Sequence, residues 1–388
     1  MSSEKSLTPQ IRFKGFTEAW EQRKLGELME VTSVRRVHQD EWTTQGVRFL
    51  RARDLVAYAN NTEIELPLYI SKELYEKYTA QSGKVEIGDL LVTGVGTIGV
   101  PWLVETPSPV YFKDGNIIWF KNKNAIFGKY FYYAFTSASI QNFIKESAGT
   151  GTVGTYTIDT GKKTPIYIPP TFEQHKIASV MKRFDSLITL HQRKLDALKK
   201  IKSALLEKMF PKDGSNIPEI RFTGFTEAWE QRKLGDIAAF SKGQGFTKSN
   251  LTESGSPVIL YGRLYTNYET QICKVDTFVK SSSYGVLSKG GEVIVPASGE
   301  TAEDIAVASH VSLPGILLGG DLNVVTPKDN LDSNFLALFI TFGNAHVELS
   351  KRAQGKSVVH VRNGDLSQLN IKYPTQSEQI LISNLFIK

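Results

Sequence analysis

The sequence predicts an α+β protein with two tandem, similar α/β domains, a long coiled-coil helix between them, and a second such helix that is truncated. Three observations predict this class. A nearly identical segment occurs twice at an offset of 209 residues, and fainter similarities follow each copy in the same order. A continuous helical pattern of about 38 residues lies between the copies.

The repeat is the strongest of these signals. Its first copy, IRFKGFTEAWEQRKLGEL, begins at Ile11, and its second copy, IRFTGFTEAWEQRKLGDI, begins at Ile220. Only three of the eighteen positions differ, whereas segments 31–84 and 238–287 diverge almost completely. Duplication followed by uniform drift does not preserve one segment and erase the other. The pattern therefore indicates one scaffold that recognises two different things.

Fainter similarities extend the repeat through each half. Buried strands entered from a turn are expected at Gly88–Val92 and Gly291–Val295. Short runs beginning at Asn116 and Asn323 also correspond, and the apolar runs 130–135 and 335–340 predict buried helices. The last matching set is a proline, a Glu-Gln pair and an isoleucine: Pro170, Glu173, Gln174 and Ile177 against Pro374, Glu378, Gln379 and Ile382.

The helical pattern between the copies runs from Glu173 to Phe210 and ends at Pro211. Its heptad seam consists of Ile177, Met181, Phe184, Ile188, His191, Leu195, Leu198, Lys202, Leu205 and Met209. Such a helix is about 55 Å long, so it should pack against another helix in this chain or in a partner. His191 is interpreted as a polar position that sets the register, with a ligand or proton switch as the alternative. The corresponding second helix should begin at Glu378, and the sequence stops ten residues later, at Lys388.

Composition sets wider limits. The 388 residues are 41% hydrophobic and 22% charged, as in soluble globular proteins, and the single cysteine excludes a disulfide framework. The sequence shows no apolar run that could serve as a secretion signal or span a membrane, so we expect a cytoplasmic protein without a membrane partner. The net charge is +6, but the stretch from Lys182 to Lys208 holds eight basic and three acidic residues. This charge permits DNA binding without requiring it, because a charge run on a helix is also typical of a solvated face.

Several motifs resemble catalytic sites and fail the structural context those sites need. Two GxGxxG matches begin at Gly94 and Gly149. A dinucleotide or S-adenosylmethionine site requires a helix directly after the loop. The first match instead continues as extended chain through Pro101, and the second continues into Thr155–Ile158, which also looks extended. A P-loop ending at Ser357 would need glycine where Ser350 stands. The sequence therefore predicts glycine-rich loops and no active site or metal site.

The repeated TEAWEQRKLG segments, the GDLLV and GEVIV strands, the PTFEQ segment and the helix HQRKLDALKKIKSALLEKMF resemble the specificity subunits of type I restriction-modification systems. The resemblance implies two target-recognition domains, each reading half of a split DNA site. Expected boundaries are 1–170 and 216–373 for these domains, 171–215 for the central conserved helix and linker, and 374–388 for the start of the second conserved helix.

The resemblance also implies the partners of the chain. They are double-stranded DNA, two modification subunits that methylate adenine, and restriction subunits that translocate and cleave DNA. The chain itself is expected to be non-catalytic and to bind no cofactor, because S-adenosylmethionine, ATP and magnesium would bind in the partner subunits.

Bases and phosphates are bound by basic, amide and hydroxyl groups, so side chains of these types are the candidates for DNA contact. In the first domain these are Arg51, Arg53, Thr97, Lys113, Thr150, Thr152 and Tyr156; in the second they are Tyr261, Arg263, Tyr265, Ser298, Lys356, Ser357 and His360. For each residue, the alternative is a surface or fold-stabilising role. The partner helix is expected on the seam through Ile177, Met181, Phe184, Ile188, Leu195, Leu198, Leu205 and Met209.

Two other functional classes compete with this interpretation. The first is a scaffold that carries two ligand-binding domains on a coiled coil and does not bind DNA. It predicts no sequence-dependent DNA binding even when partner subunits are present. The second is a fused methyltransferase, which conflicts with the missing Asn/Asp-Pro-Pro-aromatic motif; Ile168-Pro169-Pro170-Thr171 is the nearest match.

Overall fold

The computed structural model describes residues 8–148, 154–212, 214–280, 284–328, 330–353, 355 and 358–387. The chain divides into two compact units, Met1–His191 and Gln192–Lys388. Each unit has a mixed α+β architecture, and the fold class expected from the sequence is confirmed.

Unit 1 contains short strands and helices in alternation. In chain order these are β1 (Glu21–Lys24), α1 (Leu25–Leu28), β2 (Glu30–Thr32), β3 (Trp42–Thr43), β4 (Val47–Leu50), α2 (Ala52–Ala59), β5 (Leu68–Ile70), α3 (Lys72–Ser82), β6 (Leu90–Thr93), β7 (Pro101–Leu103), β8 (Val110–Phe112), β9 (Ile117–Lys121), α4 (Gly128–Phe135), α5 (Ala138–Ser147), α6 (Ile158–Lys163), β10 (Pro165–Ile168) and α7 (Thr171–Lys208). The described sheets have the orders β2-β9-β6-β7, β3-β5-β4-β8 and β1-β10.

Unit 2 begins within α7 and repeats much of this order. Its further elements are β11 (Glu230–Lys233), α8 (Leu234–Ile237), β12 (Ala238–Lys242), β13 (Leu251–Thr252), β14 (Ser256–Ile259), α9 (Arg263–Thr266), β15 (Gln271–Ile272), β16 (Phe278–Val279), β17 (Val286–Lys289), β18 (Glu292–Pro296), β19 (Ser298–Gly299), α10 (Ala302–Ile305), β20 (Ser309–Val311), β21 (Pro314–Leu318), β22 (Leu322–Pro327), α11 (Ser333–Phe342), α12 (Asn344–Arg352), β23 (Val359–His360), α13 (Asn363–Ser367), β24 (Asn370–Tyr373) and α14 (Gln376–Ile387). Its described sheets are β12-β22-β18-β20-β15, β13-β16-β14-β21-β17, β11-β24 and β19-β23.

The repeated segments close each unit in the same way. In unit 1, β1 pairs antiparallel with β10, and the guanidinium of Arg12 donates two hydrogen bonds of 2.8 Å to the buried carboxylate of Glu173. In unit 2, β11 pairs with β24, and Arg221 donates in the same way to Glu378. These pairings explain why both copies keep an arginine near their start and a Glu-Gln pair near the end of the domain.

In each unit, the strand pair formed by the repeated segment and the buried Arg–Glu ion pair make up a frame. The glutamine of each Glu-Gln pair completes this frame. The side chain of Gln174 accepts from the backbone amide of Phe127 and donates to the carbonyl of Pro169. Gln379 makes the equivalent bonds to Asp332 and Pro374. Each glutamine therefore ties the connection before the aromatic helix to the start of the following helix.

The apolar runs form the buried helices expected from the sequence. Phe131 and Phe135 on α4 are fully buried in the core of unit 1. Phe335 and Phe339 on α11 are fully buried in the core of unit 2 and contact Phe210 beyond the end of α7. Burial of these rings supplies much of the hydrophobic stabilisation of each unit.

One correspondence inferred from the sequence is wrong by two residues. The carbonyl of Asn116 accepts from Gly94, and the carbonyl of Asp321 accepts from Ala297. Because Gly94 and Ala297 follow the equivalent strands β6 and β18, Asn116 corresponds to Asp321 and not to Asn323. The side chain of Asn323 is instead buried and donates to Val361.

A second difference concerns the segment after Gly154. The sequence suggested extended chain through Ile158, but Ile158 begins α6. The hydroxyl of Thr157 accepts from the amide of Thr160 and caps this helix. A threonine cap followed by a short helix is not distinguished from a strand by β-branched composition alone.

Helix α7 has ends that are packed and a middle that is not. Ile177 packs on the core of unit 1, and Leu205 packs on the core of unit 2, where Met209 is buried. Between them, the seam residues Met181, Phe184, Ile188, Leu195 and Leu198 are 40–66% exposed. The heptad seam therefore leaves an apolar stripe on the surface of the described chain. No described helix combines the length and apolarity needed to cross a membrane.

Candidate nucleic-acid interface

Two strand ends bring Arg51 and Lys113 together in unit 1. β4 and β8 are parallel, so their carboxyl ends lie at one edge of the sheet. The amide of Lys113 donates to the carbonyl of Leu50 at 2.9 Å. The residues that follow these strands are thus neighbours, although they are 62 positions apart in the sequence.

Arg51 is held by the fold. Its Nε and Nη2 donate to the two carboxylate oxygens of Asp54 at 3.0 and 2.8 Å, and Nη2 also donates to the carbonyl of Leu66. Asp54 is 1% exposed, so release of Arg51 would leave a buried carboxylate without its main counter-charge. Arg53, on the first turn of α2, is exposed, and its side chain makes no hydrogen bond or ion pair to the described residues. Of these two arginines, Arg53 is the one available to a ligand.

Thr97 and Tyr156 lie near one loop but differ in exposure. Thr97 is exposed in the loop between β6 and β7. The amide of Tyr156 donates to Gly94 at the base of that loop, while the Tyr156 ring is buried and its hydroxyl lies 2.6 Å from Thr164 Oγ1. Burial raises the pKa of the Tyr156 hydroxyl. The structure therefore places Tyr156 in the core of unit 1, which corresponds to the fold-stabilising alternative.

Four of the residues selected in unit 2 lie together. Ser298 pairs with His360 between β19 and β23, with 3.1 Å between Ser298 Oγ and His360 Nδ1. Tyr265 donates its hydroxyl to the carbonyl of Ser298 at 2.7 Å, and its ring packs edge-on against Tyr261. Burial raises the pKa of the Tyr265 hydroxyl, whereas Tyr261 and His360 are exposed. This cluster offers an aromatic face and an imidazole to a ligand.

Arg263 is neutralised within unit 2. Its guanidinium forms ion pairs with Glu269 and Asp276 and donates to the carbonyl of Lys274. The Arg263 side chain is 10% exposed. The ion pair with Arg263 lowers the pKa of Asp276. These contacts assign Arg263 a structural role in the chain as described.

The remaining four selected residues, Thr150, Thr152, Lys356 and Ser357, lie outside the described residues. Selection by residue type also missed the acidic partners Asp54, Glu269 and Asp276. The spacing of Arg51 and Asp54, three residues apart at the start of a helix, was a usable signal for the first pair. Among the described residues, no group of three or more His, Cys, Asp or Glu side chains is arranged to hold a metal ion.

The two units together define a class of protein. Each has a closed frame from the repeated segments, and the strand-end loops inside the frame differ between the units. A family model described as the type I restriction modification DNA specificity domain matches residues 17–200 and 226–386. The chain belongs to this family, as the sequence resemblance indicated.

Individual relatives are more distant. A putative type I restriction enzyme specificity subunit of Haemophilus influenzae is 30% identical over 166 residues, 42% of this chain and 40% of the relative. The MjaVIII specificity subunit of Methanocaldococcus jannaschii is 24% identical over 55% of this chain and 52% of its own. These alignments thus span about half the length of each relative. The putative MjaX subunit of the same organism is 23% identical over 94% of this chain and 85% of its own.

Solved structures agree on the fold. The type I restriction-modification S subunit of M. genitalium matches with a TM-score of 0.56 at 14% identity, covering 98% of this chain and 92% of its own. A chain from a study of complex assembly and conformational transition of the type I R-M system also has a TM-score of 0.56, at 17% identity, with 97% and 90% coverage. At these identities the likeness concerns the fold.

Proposed function

We propose that this chain is the non-catalytic, sequence-reading subunit of a type I restriction-modification enzyme, and that each unit reads one half of a split DNA site. The observation that carries the proposal is the frame that occurs twice around different strand-end loops. Arg12–Glu173 and Arg221–Glu378 hold the two frames alike. Inside them, the loops present Arg53 and Thr97 in unit 1 but Tyr261 and His360 in unit 2. Two different base sequences are a natural target for one scaffold with two different surfaces.

The repeat also supports a partner that binds twice. Several residues that both copies share are exposed in both units, among them Thr17 and Thr226, Ala19 and Ala228, Gln22 and Gln231, and Lys24 and Lys233. Packing within a unit does not account for the identity of exposed residues. Two copies of the same modification subunit would contact them equivalently, and we place adenine methylation and its S-adenosylmethionine in those subunits.

The apolar stripe of α7 supports the assembly as well. Five seam residues between Met181 and Leu198 are exposed over a helix of 38 residues. A partner helix along this stripe would bury them in a coiled-coil interface. The restriction subunits, with ATP and magnesium, would join the same complex.

Methylation mapping tests this function. The chain and its modification subunit are expressed together in a host without other adenine methyltransferases, and methylated adenines are located by single-molecule sequencing. The expected result is one motif of two short specified parts separated by unspecified bases. The modification subunit alone is the control and should give no such motif. Absence of sequence-dependent methylation or DNA binding with both proteins present would instead favour the scaffold without DNA binding.

A further inference from the structure

The glycine-rich loop between β6 and β7 has a rigid base and an exposed tip. Gly94 donates its amide to the carbonyl of Asn116 at 2.8 Å, and Gly99 donates to Thr93 at 2.8 Å. Val100 donates to Thr93 Oγ1 at 2.9 Å. The tip residues Gly96 and Thr97 are exposed, and Gly96 has a φ of 70°, which favours glycine.

The backbone amides at this tip have no acceptor among the residues that the structure describes. The amides of Val95, Gly96, Thr97 and Ile98 donate no hydrogen bond to the described residues. The carbonyl of Thr97 accepts from the hydroxyl of Thr93 inside the loop. Because a trans peptide points its C=O and N–H in opposite directions, the following amide, that of Ile98, points away from Thr93. By the same argument the Val95 amide points away from Tyr156, which donates to the carbonyl of Gly94.

We propose that this loop binds one phosphodiester group of a DNA strand through the backbone amides of its tip and the hydroxyl of Thr97. The inference rests on the proposed DNA-reading function and names a site within it. Successive amides around a glycine with positive φ are a recognised cradle for phosphate oxygens, and backbone amides are common phosphate donors in protein–DNA complexes.

The neighbouring charges suit an anion. The turn between β8 and β9 carries both Asn116 and Lys113, and Lys113 is half-buried directly after β8. The one carboxylate in this turn, Asp114, is 2.9 Å from the guanidinium of Arg36, whose side chain is 69% exposed. The charges of Asp114 and Arg36 cancel, so Lys113 gives this turn a net positive charge.

The equivalent loop of unit 2 lacks the site. Ala297 occupies the place of Gly94, because its amide donates to Asp321 and its carbonyl accepts from Val361 as Gly94 does with Asn116 and Tyr156. Ser298 and Gly299 then pair with β23, and the exposed Glu300 stands where unit 1 has Thr97. A carboxylate at this position repels phosphate, so the two units hold DNA differently.

The test uses the chain assembled with its modification subunits and a DNA duplex containing the mapped site. Thr97→Glu and Thr97→Gln introduce side chains of nearly the same shape that differ in charge. We expect Thr97→Glu to weaken DNA binding about tenfold or more at moderate salt, because a carboxylate at this tip repels a bound phosphate, and Thr97→Gln to weaken it less than about threefold. Glu300→Gln in unit 2 is the matched control and should leave the affinity within about twofold. Thermal unfolding confirms that all variants fold.

A second measurement locates the phosphate. Single neutral methylphosphonates are placed along the half-site read by unit 1. One position should weaken binding of the unchanged chain several-fold and lose that effect in Thr97→Glu, because the two changes act on the same contact. Equal affinities for Thr97→Glu and Thr97→Gln, or no methylphosphonate position coupled to residue 97, would overturn the site while leaving DNA reading intact. Failure of the unchanged complex to prefer its site over shuffled DNA would overturn both proposals.

Discussion

At the residue scale, a buried arginine–glutamate ion pair stabilises the frame that the two units have in common. The side chains of Arg221 and Glu378 are 12% and 1% exposed, and the carboxylate accepts from both Nε and Nη2. Glu378→Gln removes one charge-assisted acceptor and leaves a guanidinium partly buried. We expect the free energy of unfolding to fall by about 2–3 kcal/mol. Chemical denaturation, together with hydrogen exchange of the amides of unit 2, measures the loss of unfolding free energy.

The solvent-exposed ion pairs of Arg23 with Glu21 and Glu27 are the comparison for this change. Arg23→Ala should leave unfolding unchanged within error, because solvent screens exposed pairs. Equal stability of Glu378→Gln and the unchanged chain would show that the pair does not hold the frame.

The two neighbouring arginines of unit 1 should separate stability from binding. Arg51→Ala leaves the buried carboxylate of Asp54 without the two hydrogen bonds that Arg51 donates to it. The melting temperature of unit 1 should therefore fall. Arg53→Ala should leave melting unchanged and weaken DNA binding of the assembled complex by about 5–150-fold, the range of a base contact. Binding isotherms and thermal melts on both variants check this. The opposite pattern would exchange the two roles.

Residue type predicts candidate contacts poorly for a physical reason. Arg51, Arg53 and Arg263 have the same chemistry in the sequence, yet only Arg53 is exposed without an internal partner among the described residues. The difference lies in acidic side chains that the chain folds against each arginine. Tyr156 likewise differs from Tyr261 through burial, which local composition does not encode.

At the element scale, α7 is predicted to set the distance between the half-sites. Seven residues inserted between His191 and Leu195 would preserve the heptad register and lengthen the helix by about 10 Å. At about 3.4 Å per base pair, we expect the unspecified spacer to grow by one to three base pairs while both half-sites stay the same. Methylation mapping of the variant measures the spacer.

A four-residue insertion at the same place is the control. It rotates the seam residues beyond it relative to those before it, so we expect it to impair assembly instead of lengthening the spacer. If the seven-residue variant remained active on the original spacer, α7 would hold partners without measuring distance.

Elements were predicted best where periodicity and repetition agreed. The helix inferred from Glu173 to Phe210 is observed from Thr171 to Lys208, and α4 and α11 lie where the apolar runs predicted. Prediction failed where a turn or a cap decided the structure. The connection leading to β22 is arranged differently from that leading to β9, so matching Asn116 to Asn323 by identity gave the wrong register.

At the scale of the whole molecule, the frame should make the units exchangeable. Lys24 and Pro165 are opposite one another in the β1–β10 pair, so the variable part of unit 1 enters and leaves at one place. Replacing residues from about 30 to 165 with the same part of another specificity subunit should change one half-site and leave the other intact. Methylation mapping shows the outcome, and a change in both half-sites would contradict independent reading by the units.

The chain alone should bind DNA weakly and with a steep dependence on salt. Its net charge is +6, of which most lies in the stretch from Lys182 to Lys208 on α7. Binding to DNA that depends mainly on phosphate contacts weakens steeply as the salt concentration rises. We expect no transfer of a labelled methyl group and no cleavage by the homogeneous chain. Filter binding at 50 and 200 mM salt, together with a methyl-transfer assay, tests this; methyl transfer by the chain alone would contradict it.

The closure of the frame also sets an order of events during synthesis. β1 must wait for β10, about 140 residues later, and the core of unit 1 also includes Ala178 on α7. At a synthesis rate of about 5–20 residues per second, β1 is made roughly 7–30 s before its partner strand β10. The part of unit 1 from about residue 30 to 165 therefore has time to fold before the frame closes around it. A segment taken from another specificity subunit then needs to match the ends of the frame, whereas the order in which the frame assembles places no demand on it.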